Sequence, residues 1–211
     1  MMKREGILVV ISGFAGTGKG TVVKGLLDRY EQFALSVSMT TRSPRPGEEN
    51  GKSYFFVTKD EFEKTIDDGG LIEYASYCDN YYGTPKAYVE EQLKAGKDVI
   101  LEIEIQGALK IKKLFPTALL LFVLPPSATE LKNRLVGRGT ETPEVIDKRM
   151  KRAAEEAEGI EEYDYIVIND EVERCVEETH SIIEAAHMKP IRNTAFINKI
   201  KQELKDIAKG E

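Results

Sequence analysis

Five runs of strand length recur along the chain, mostly without polar alternation: Ile7–Ile11, Ala34–Ser38, Val99–Ile105, Ala118–Leu124 and Tyr165–Ile168. They are rich in Val, Ile and Leu, as strands covered on both faces are. Helical patterns lie between them and carry start signals. Thr58-Lys-Asp-Glu61 and Ser127-Ala-Thr-Glu130 have the spacing of a capping box, in which the first hydroxyl and the last carboxylate satisfy each other's backbone N–H. Thr84-Pro85 and Thr142-Pro143 put a capping residue before a first-turn proline. Gly96 stands where a helix opening at Pro85 is due to stop. Strands alternating with helices predict an α/β fold, a parallel sheet core flanked by helices.

One region breaks that rhythm. Residues 38–83 read as a polar loop with Pro44 and Pro46, a strand at Tyr54–Val57, a short helix and a strand at Leu71–Ser76. The pattern predicts a small α+β insertion carried on a core formed by residues 1–37 and 84–186. A second irregular stretch, about 137–151, is charged and suits a lid. Residues 187–211 form a C-terminal extension with weak helical periodicity (Ile191, Phe196, Ile197, Ile200, Leu204, Ile207) and no recognisable chemistry.

Composition narrows the function classes. At 211 residues the chain can bury a core without disulfides or a structural metal. Lys and Arg total 30 against 36 Asp and Glu, a net charge of -6. An acidic balance argues against coating nucleic acid, which relies on a surplus of cations, yet leaves room for a local arginine cluster on a small phosphorylated ligand. Cys78 and Cys175 fit no metal spacing and read as reduced thiols. The apolar run after Lys3 and Arg4 is too short for a signal peptide, and no segment reaches membrane-span length, so a cytoplasmic protein is expected.

Gly13-Phe14-Ala15-Gly16-Thr17-Gly18-Lys19 follows the first buried run directly and opens a helical pattern. This is the phosphate-binding G-x-x-x-x-G-K arrangement in its strand–loop–helix setting. Glycines let successive N–H groups turn into one concavity, the helix N-terminus adds partial positive charge, and Lys19 adds a full one. The position after the lysine is Gly20, where a metal-binding hydroxyl is usual, and Thr21 comes one residue later. Two alternatives follow: Mg²⁺ held by water and acidic side chains, or partial substitution by Thr21.

Further on, Arg42-Ser-Pro-Arg45 sets two guanidinium groups three residues apart between prolines, a fork suited to a phosphate dianion, with Tyr54 and Tyr82 as added hydroxyl donors. Glu102 and Glu104 sit two apart on the third run and are expected on one side of a strand near its carboxyl end, where open α/β sheets bind ligands. There Glu102 is the candidate holder of hydrated Mg²⁺, and Glu104 a second carboxylate open to a ligand. Arg134 and Arg138, four apart, and Arg149 flank the lid, and closure would bring their charge onto a transferring phosphoryl group.

Together these segments resemble the guanylate kinases. The residues that carry the likeness are Gly13–Lys19, Thr-Thr-Arg42-Ser-Pro-Arg45-Pro-Gly-Glu48 with Tyr54, Leu-Ile-Glu73, and Asn80-Tyr-Tyr82-Gly-Thr84. Leu-Glu102-Ile-Glu104-Ile-Gln-Gly107, Arg134-Leu-Val-Gly-Arg138-Gly-Thr, Arg149 and Ile-Asn169-Asp complete the set over about residues 5 to 186. The resemblance implies a P-loop NTPase-type core with a nucleotide-binding insertion and a lid, and ATP- and Mg²⁺-dependent phosphorylation of GMP or dGMP, on the way to GTP. By that likeness Gly13 to Thr21 with Arg138 and Asn169 would hold ATP. Ser38, Arg42, Arg45, Glu48, Tyr54, Glu73, Tyr82, Thr84 and Glu104 would hold GMP, with Ser38, Glu73 and Thr84 reading guanine. The family usually has Asp where Glu104 stands. No protein partner is expected. Two rivals share these residues: a kinase of another phosphorylated acceptor, against which Glu73 and Thr84 speak, and a silent protein-binding module, against which Lys19, Arg42 and Arg45 speak.

Overall fold

The computed structural model describes residues 5–45, 47–77, 79–137 and 142–209. Its core is a five-stranded sheet in the order β2-β7-β1-β8-β9, formed by β1 (Leu8–Gly13), β2 (Phe33–Leu35), β7 (Asp98–Glu102), β8 (Leu119–Leu124) and β9 (Tyr165–Ile168). Every pairing in it is parallel. Along β1 successive side chains go to opposite faces. Val9 and Ile11 pack with Val22, Val23 and Leu26 of α1 (Lys19–Arg29) and with Val176 and Ile183 of α7 (Val172–His187). Leu8 and Val10 pack with Val89 of α3 (Lys86–Lys94) and with Ala108 and Ile111 of α4 (Ile105–Leu114). A strand buried on both sides has no polar face, which is why the runs of β1, β7 and β8 lack alternation; the edge strand β9 leaves Tyr165, Ile166 and Ile168 exposed.

A second, four-stranded sheet runs in the order β4-β3-β6-β5, from β3 (Met39–Thr40), β4 (Phe55–Phe56), β5 (Leu71–Tyr77) and β6 (Asn80–Pro85), with α2 (Lys59–Asp67) packed on it through the fully buried Phe62. The Thr58–Glu61 capping box at the start of α2 is complete. Beyond the sheets lie α5 (Ala128–Gly137), α6 (Pro143–Ala157) and α8 (Thr194–Lys209). α8 buries none of its side chains and exposes Phe196, Leu204 and Ile207.

Several expectations are corrected. The run Ala34–Ser38 divides: Ser36 makes a last backbone bond to Ile100, and the chain then crosses to the second sheet. Val99–Ile105 is strand only to Glu102, because Glu104 is the N-cap of α4 and its carbonyl already accepts from Ala108 N–H. Glu102 and Glu104 therefore do not share a strand face. Pro85, not Thr84, caps α3, since Thr84 stays in β6 with its hydroxyl bonded to Glu73. At Ser127 the box is half made: the hydroxyl takes Glu130 N–H, but the Glu130 carboxylate turns to Arg134. β6 escapes the apolar pattern because Asn80-Tyr-Tyr-Gly is polar and aromatic. Most of the stretch 137–151 is helix, α6 opening at Pro143 behind Thr142 as the dipeptide predicts. Pro46, Cys78 and Arg138 lie outside the described residues. Cys175 is a core thiol that burial pushes up to about 11, and His180 stacks on Tyr30 at 3.8 Å while His187 bonds Asp98 at 2.8 Å.

The contact of α1 with α7 closes over Gly25, where a Cβ would lie 2.6 Å from Val176 Cγ2. Alanine in an open helix site adds about 1 kcal/mol over glycine. Here overpacking against a buried valine costs about 1–3 kcal/mol and outweighs that gain. Gly25→Ala is expected to lower the urea-unfolding free energy by about 1 kcal/mol; a rise would show that the two helices are not held at this distance.

Candidate functional site

The chemistry gathers at the carboxyl edge of the parallel sheet. β1 ends in the glycine loop, β7 ends in Glu102, and β9 ends just before Asn169. The loop reverses through Gly16 (φ 98°) and Gly18 (φ 82°), in a region that L side chains rarely adopt. Space alone also demands glycine at position 18, where a Cβ would lie 2.5 Å from the Asn169 amide nitrogen. Phe14 anchors the loop below by an edge contact to Phe122, at 5.1 Å between centroids.

A loop that turns its N–H groups inward turns carbonyls outward, and these need donors. Asn169 Nδ2 donates to the Thr17 carbonyl at 2.7 Å, and Arg134 Nη1 donates to the same oxygen at 3.3 Å. The Thr17 hydroxyl, fully buried, bonds back to the Phe14 carbonyl. Asn169 and Arg134 thus hold the cradle's frame. Lys19 reaches Glu102, Nζ to Oε1 3.1 Å, at the mouth of the loop. Gly20 borders the same carboxylate: a Cβ there would stand 3.7 Å from Glu102 Oε1, an ordinary contact. Thr21, in the same first turn of α1, is exposed.

The second sheet presents the other half. Arg42 makes a two-pronged bond to Glu48, Nη1–Oε2 3.0 Å and Nη2–Oε1 2.8 Å, with its guanidinium 5.4 Å from the Tyr54 ring centre. Glu48 also accepts Arg45 N–H at 2.7 Å. The Arg42 bond and then the Arg45 amide hold the Glu48 carboxyl below the usual carboxylate range. Tyr54 and Tyr82 meet edge to face, 6.0 Å apart, beside this fork. The Arg45 side chain is exposed, and the Ser38 carbonyl is used by Phe55 N–H in joining β4 to the sheet.

Glu73 of β5 points its carboxylate at Thr84 Oγ1, which donates to Oε1 at 2.8 Å. Burial raises the Glu73 carboxyl above its ordinary value, opposed in part by the Thr84 bond and the charge of Lys110, and reinforced by Glu104. Glu104, released from the strand, faces Arg152 of α6 at 3.5 Å. Arg149 is partly buried one turn earlier on that helix. Reading by motif missed Arg152 and Glu156, which bond to each other at 3.0 Å. Their signal is helical spacing from Arg149, three residues and then four, visible once the helix is taken to start at Pro143.

The family model described as Guanylate kinase matches residues 5–186. The guanylate kinase of Oceanobacillus iheyensis is 50% identical over 203 residues, covering 96% of this chain and 98% of its own length. That of Bacillus subtilis is 52% identical over 189 residues, 89% of this chain and 93% of its own. Among solved structures, the guanylate kinase from Anaplasma phagocytophilum superposes with a TM-score of 0.73 at 34% identity, covering 91% of this chain and 92% of the other.

The raised Glu73 carboxyl has a consequence for stability. Below the ordinary carboxylate range both folded and unfolded chains carry it protonated. As pH rises, the unfolded chain ionises first, so the ionised residue subtracts stability at neutral pH. Glu73→Gln keeps an acceptor for Thr84 and removes the charge. The ligand-free variant should melt higher than the parent at pH 7, with the advantage shrinking toward pH 4. A lower melting temperature at pH 7 contradicts the buried-charge account.

Proposed function

This chain belongs to the guanylate kinase family, and from that membership we propose how its cleft moves the γ-phosphoryl group of ATP to GMP. The products are ADP and GDP. One observation carries the residue assignment: a phosphate cradle ending in Lys19 stands at the sheet edge, while a separate sheet offers an arginine fork, Arg42, and a buried base-reading pair, Glu73 with Thr84.

In this reading the backbone N–H groups from Gly13 to Thr21, with Lys19, receive the ATP phosphates. Asn169 and Arg134 act by holding that loop through the Thr17 carbonyl. Arg42, Arg45, Tyr54 and Tyr82 receive the GMP phosphate, and Glu48 orients Arg42, since a carboxylate has no attraction for a dianion. Guanine offers N1–H and N2–H₂ on one edge, two donors for the Glu73 carboxylate. Adenine offers an acceptor at N1 and would face a lone pair. Ser38 and Glu104 complete the nucleoside side. Arg138 and Arg149, on the lid of about residues 137–151, bring positive charge as the cleft closes over an acceptor held by residues 38–83.

The nucleophile is an oxygen of the GMP phosphate, whose second proton leaves near pH 6. It attacks the γ-phosphorus in line as the bond to the ADP oxygen breaks, so no side chain needs to remove a proton. Positioning and charge stabilisation remain for the protein to supply. Mg²⁺ fits the donors present through water: Glu102 offers a hard carboxylate oxygen, and Gly20 leaves space beside it without offering a hydroxyl. When bound, the ion offsets charge on the β and γ phosphates. Free nucleotides as substrates agree with a cytoplasmic protein that needs no protein, membrane or nucleic-acid partner, and among the described residues no helix is long and apolar enough to cross a membrane.

Phosphoryl transfer from ATP and Mg²⁺, measured against GMP, dGMP, AMP, UMP and CMP, tests the assignment. Turnover should be confined to the guanine nucleotides. Lys19→Ala should lower kcat by ~10²-fold or more, as loss of one transition-state donor does; near-native turnover in that variant overturns the role given to the loop. Glu73→Gln turns one acceptor into a donor facing guanine's own donors and should cut the preference for GMP over AMP by about tenfold or more. An unchanged preference means that another group reads the base.

A further inference from the structure

α6 carries a cation that the transfer mechanism above does not use. Met150 and Ala153 turn one stripe of the helix into the third apolar cluster, with Phe14, Ile105 and Phe122, and Ile146, one turn before Met150, is also buried. Arg149, Arg152 and Glu156 form a neighbouring stripe, three and four residues apart. Arg152 spreads over three carboxylates: Nε to Glu156 at 3.0 Å, Nη2 to Glu104 at 3.5 Å and Nη1 to Glu155 at 3.6 Å. Only the Glu104 contact leaves the helix.

Glu104 makes that contact at some cost to α4. A carboxylate beside a helix N-terminus is favourably placed to accept first-turn N–H groups. Yet the Glu104 side chain makes no capping bond, although it is the N-cap residue. It extends to Arg152 instead. An aspartate, one methylene shorter, has the reach to cap the helix and falls short of a guanidinium already 3.5 Å away.

The surrounding charges place this pair between the two halves of the cleft. On the acceptor side, Glu104 acts on Glu73, which also feels Lys110. On the donor side, Glu156 feels Arg152, then Glu104, then Lys19. Arg152 is the cation that Glu156 on one side and Glu104 on the other both contact. Lys110 offsets the charge of Glu73, and the Arg152 guanidinium that of Glu104.

We propose that Arg152 is a positioning residue for the acceptor: it draws the Glu104 carboxylate away from the N-terminus of α4, holds it beside Glu73 for the nucleoside of GMP, and ties α6 to the acceptor site. This inference rests on the reading of Glu104 as a nucleoside contact. Arg152 is 45% exposed at its side chain, so Arg152→Met is expected to fold as the parent does. Steady-state kinetics on the full chain then separate the roles.

Arg152→Met should raise KM for GMP about fivefold with KM for ATP unchanged, and Arg152→Lys should recover most of the loss, as expected for one coupled charge pair. Glu104→Asp should produce a similar rise, and Arg152→Met combined with Glu104→Asp should be no worse than either alone. An unchanged KM for GMP in Arg152→Met, an equal rise in both KM values, or single effects that multiply in the double variant each overturns the proposal. Failure of the parent chain to phosphorylate GMP would instead strike the reading of the whole cleft, and this inference with it.

Discussion

The carbonyl oxygen of Thr17 is the point on which the phosphate cradle depends. Aiming several N–H groups at one anion forces the intervening carbonyls outward, toward protein instead of water. Here that oxygen receives Asn169, from the end of β9, and Arg134, from α5. Both donors come from more than a hundred residues away in sequence, so the loop takes its shape only when the sheet is assembled through β8 to its edge. The glycine at position 18 is the counterpart of this grip, since any side chain there would occupy the space of the Asn169 amide.

The ligand-free cleft is also a set of cations already engaged. Lys19 rests on Glu102, Arg42 on Glu48, Arg134 on Glu130 and Arg152 on Glu104 and Glu156. Each carboxylate keeps a long side chain near one geometry, so less conformational freedom remains to be lost when a phosphate arrives. The arrangement differs between the halves. Glu48 stays bonded behind Arg42 with its own carboxyl held low, a fixed brace. Glu102 stands at the mouth of the loop, with its side chain 35% exposed.

Glu73 shows a site residue held against local stability. A partly buried carboxylate, with Thr84 as its one donor among the described residues, is less stable ionised than in water. In the proposed reading, what it lacks are the two donors that the edge of guanine provides. Specificity of this kind needs an unsatisfied group, because a fully satisfied one has no reason to prefer one base over another.

Much of this was legible in the sequence, for reasons that belong to short segments. The apolar runs of β1, β8 and β9, the glycine loop with Lys19 and the capping signals at Thr58 and Thr142 depend on neighbours a few residues apart, and so does the helix stop near Gly96. Their physics is therefore complete in the sequence. The resemblance placed Arg42, Glu73 and Thr84 in one acceptor site, and it could not say that Glu48 braces Arg42 or that Thr84 faces Glu73 across the β5–β6 pair. Those contacts depend on strand register, as does the strand Asn80–Pro85 itself, whose polar and aromatic residues carry no apolar signal. Glu104 was misread because a strand run continues into a helix with no break in its apolar residues. Only the bond of its backbone carbonyl to Ala108 decides where one ends. The sequence determined which side chains could bind phosphate. Tertiary structure alone decided which carboxylate each cation holds, because that choice is made by distances between segments that the chain brings together only on folding.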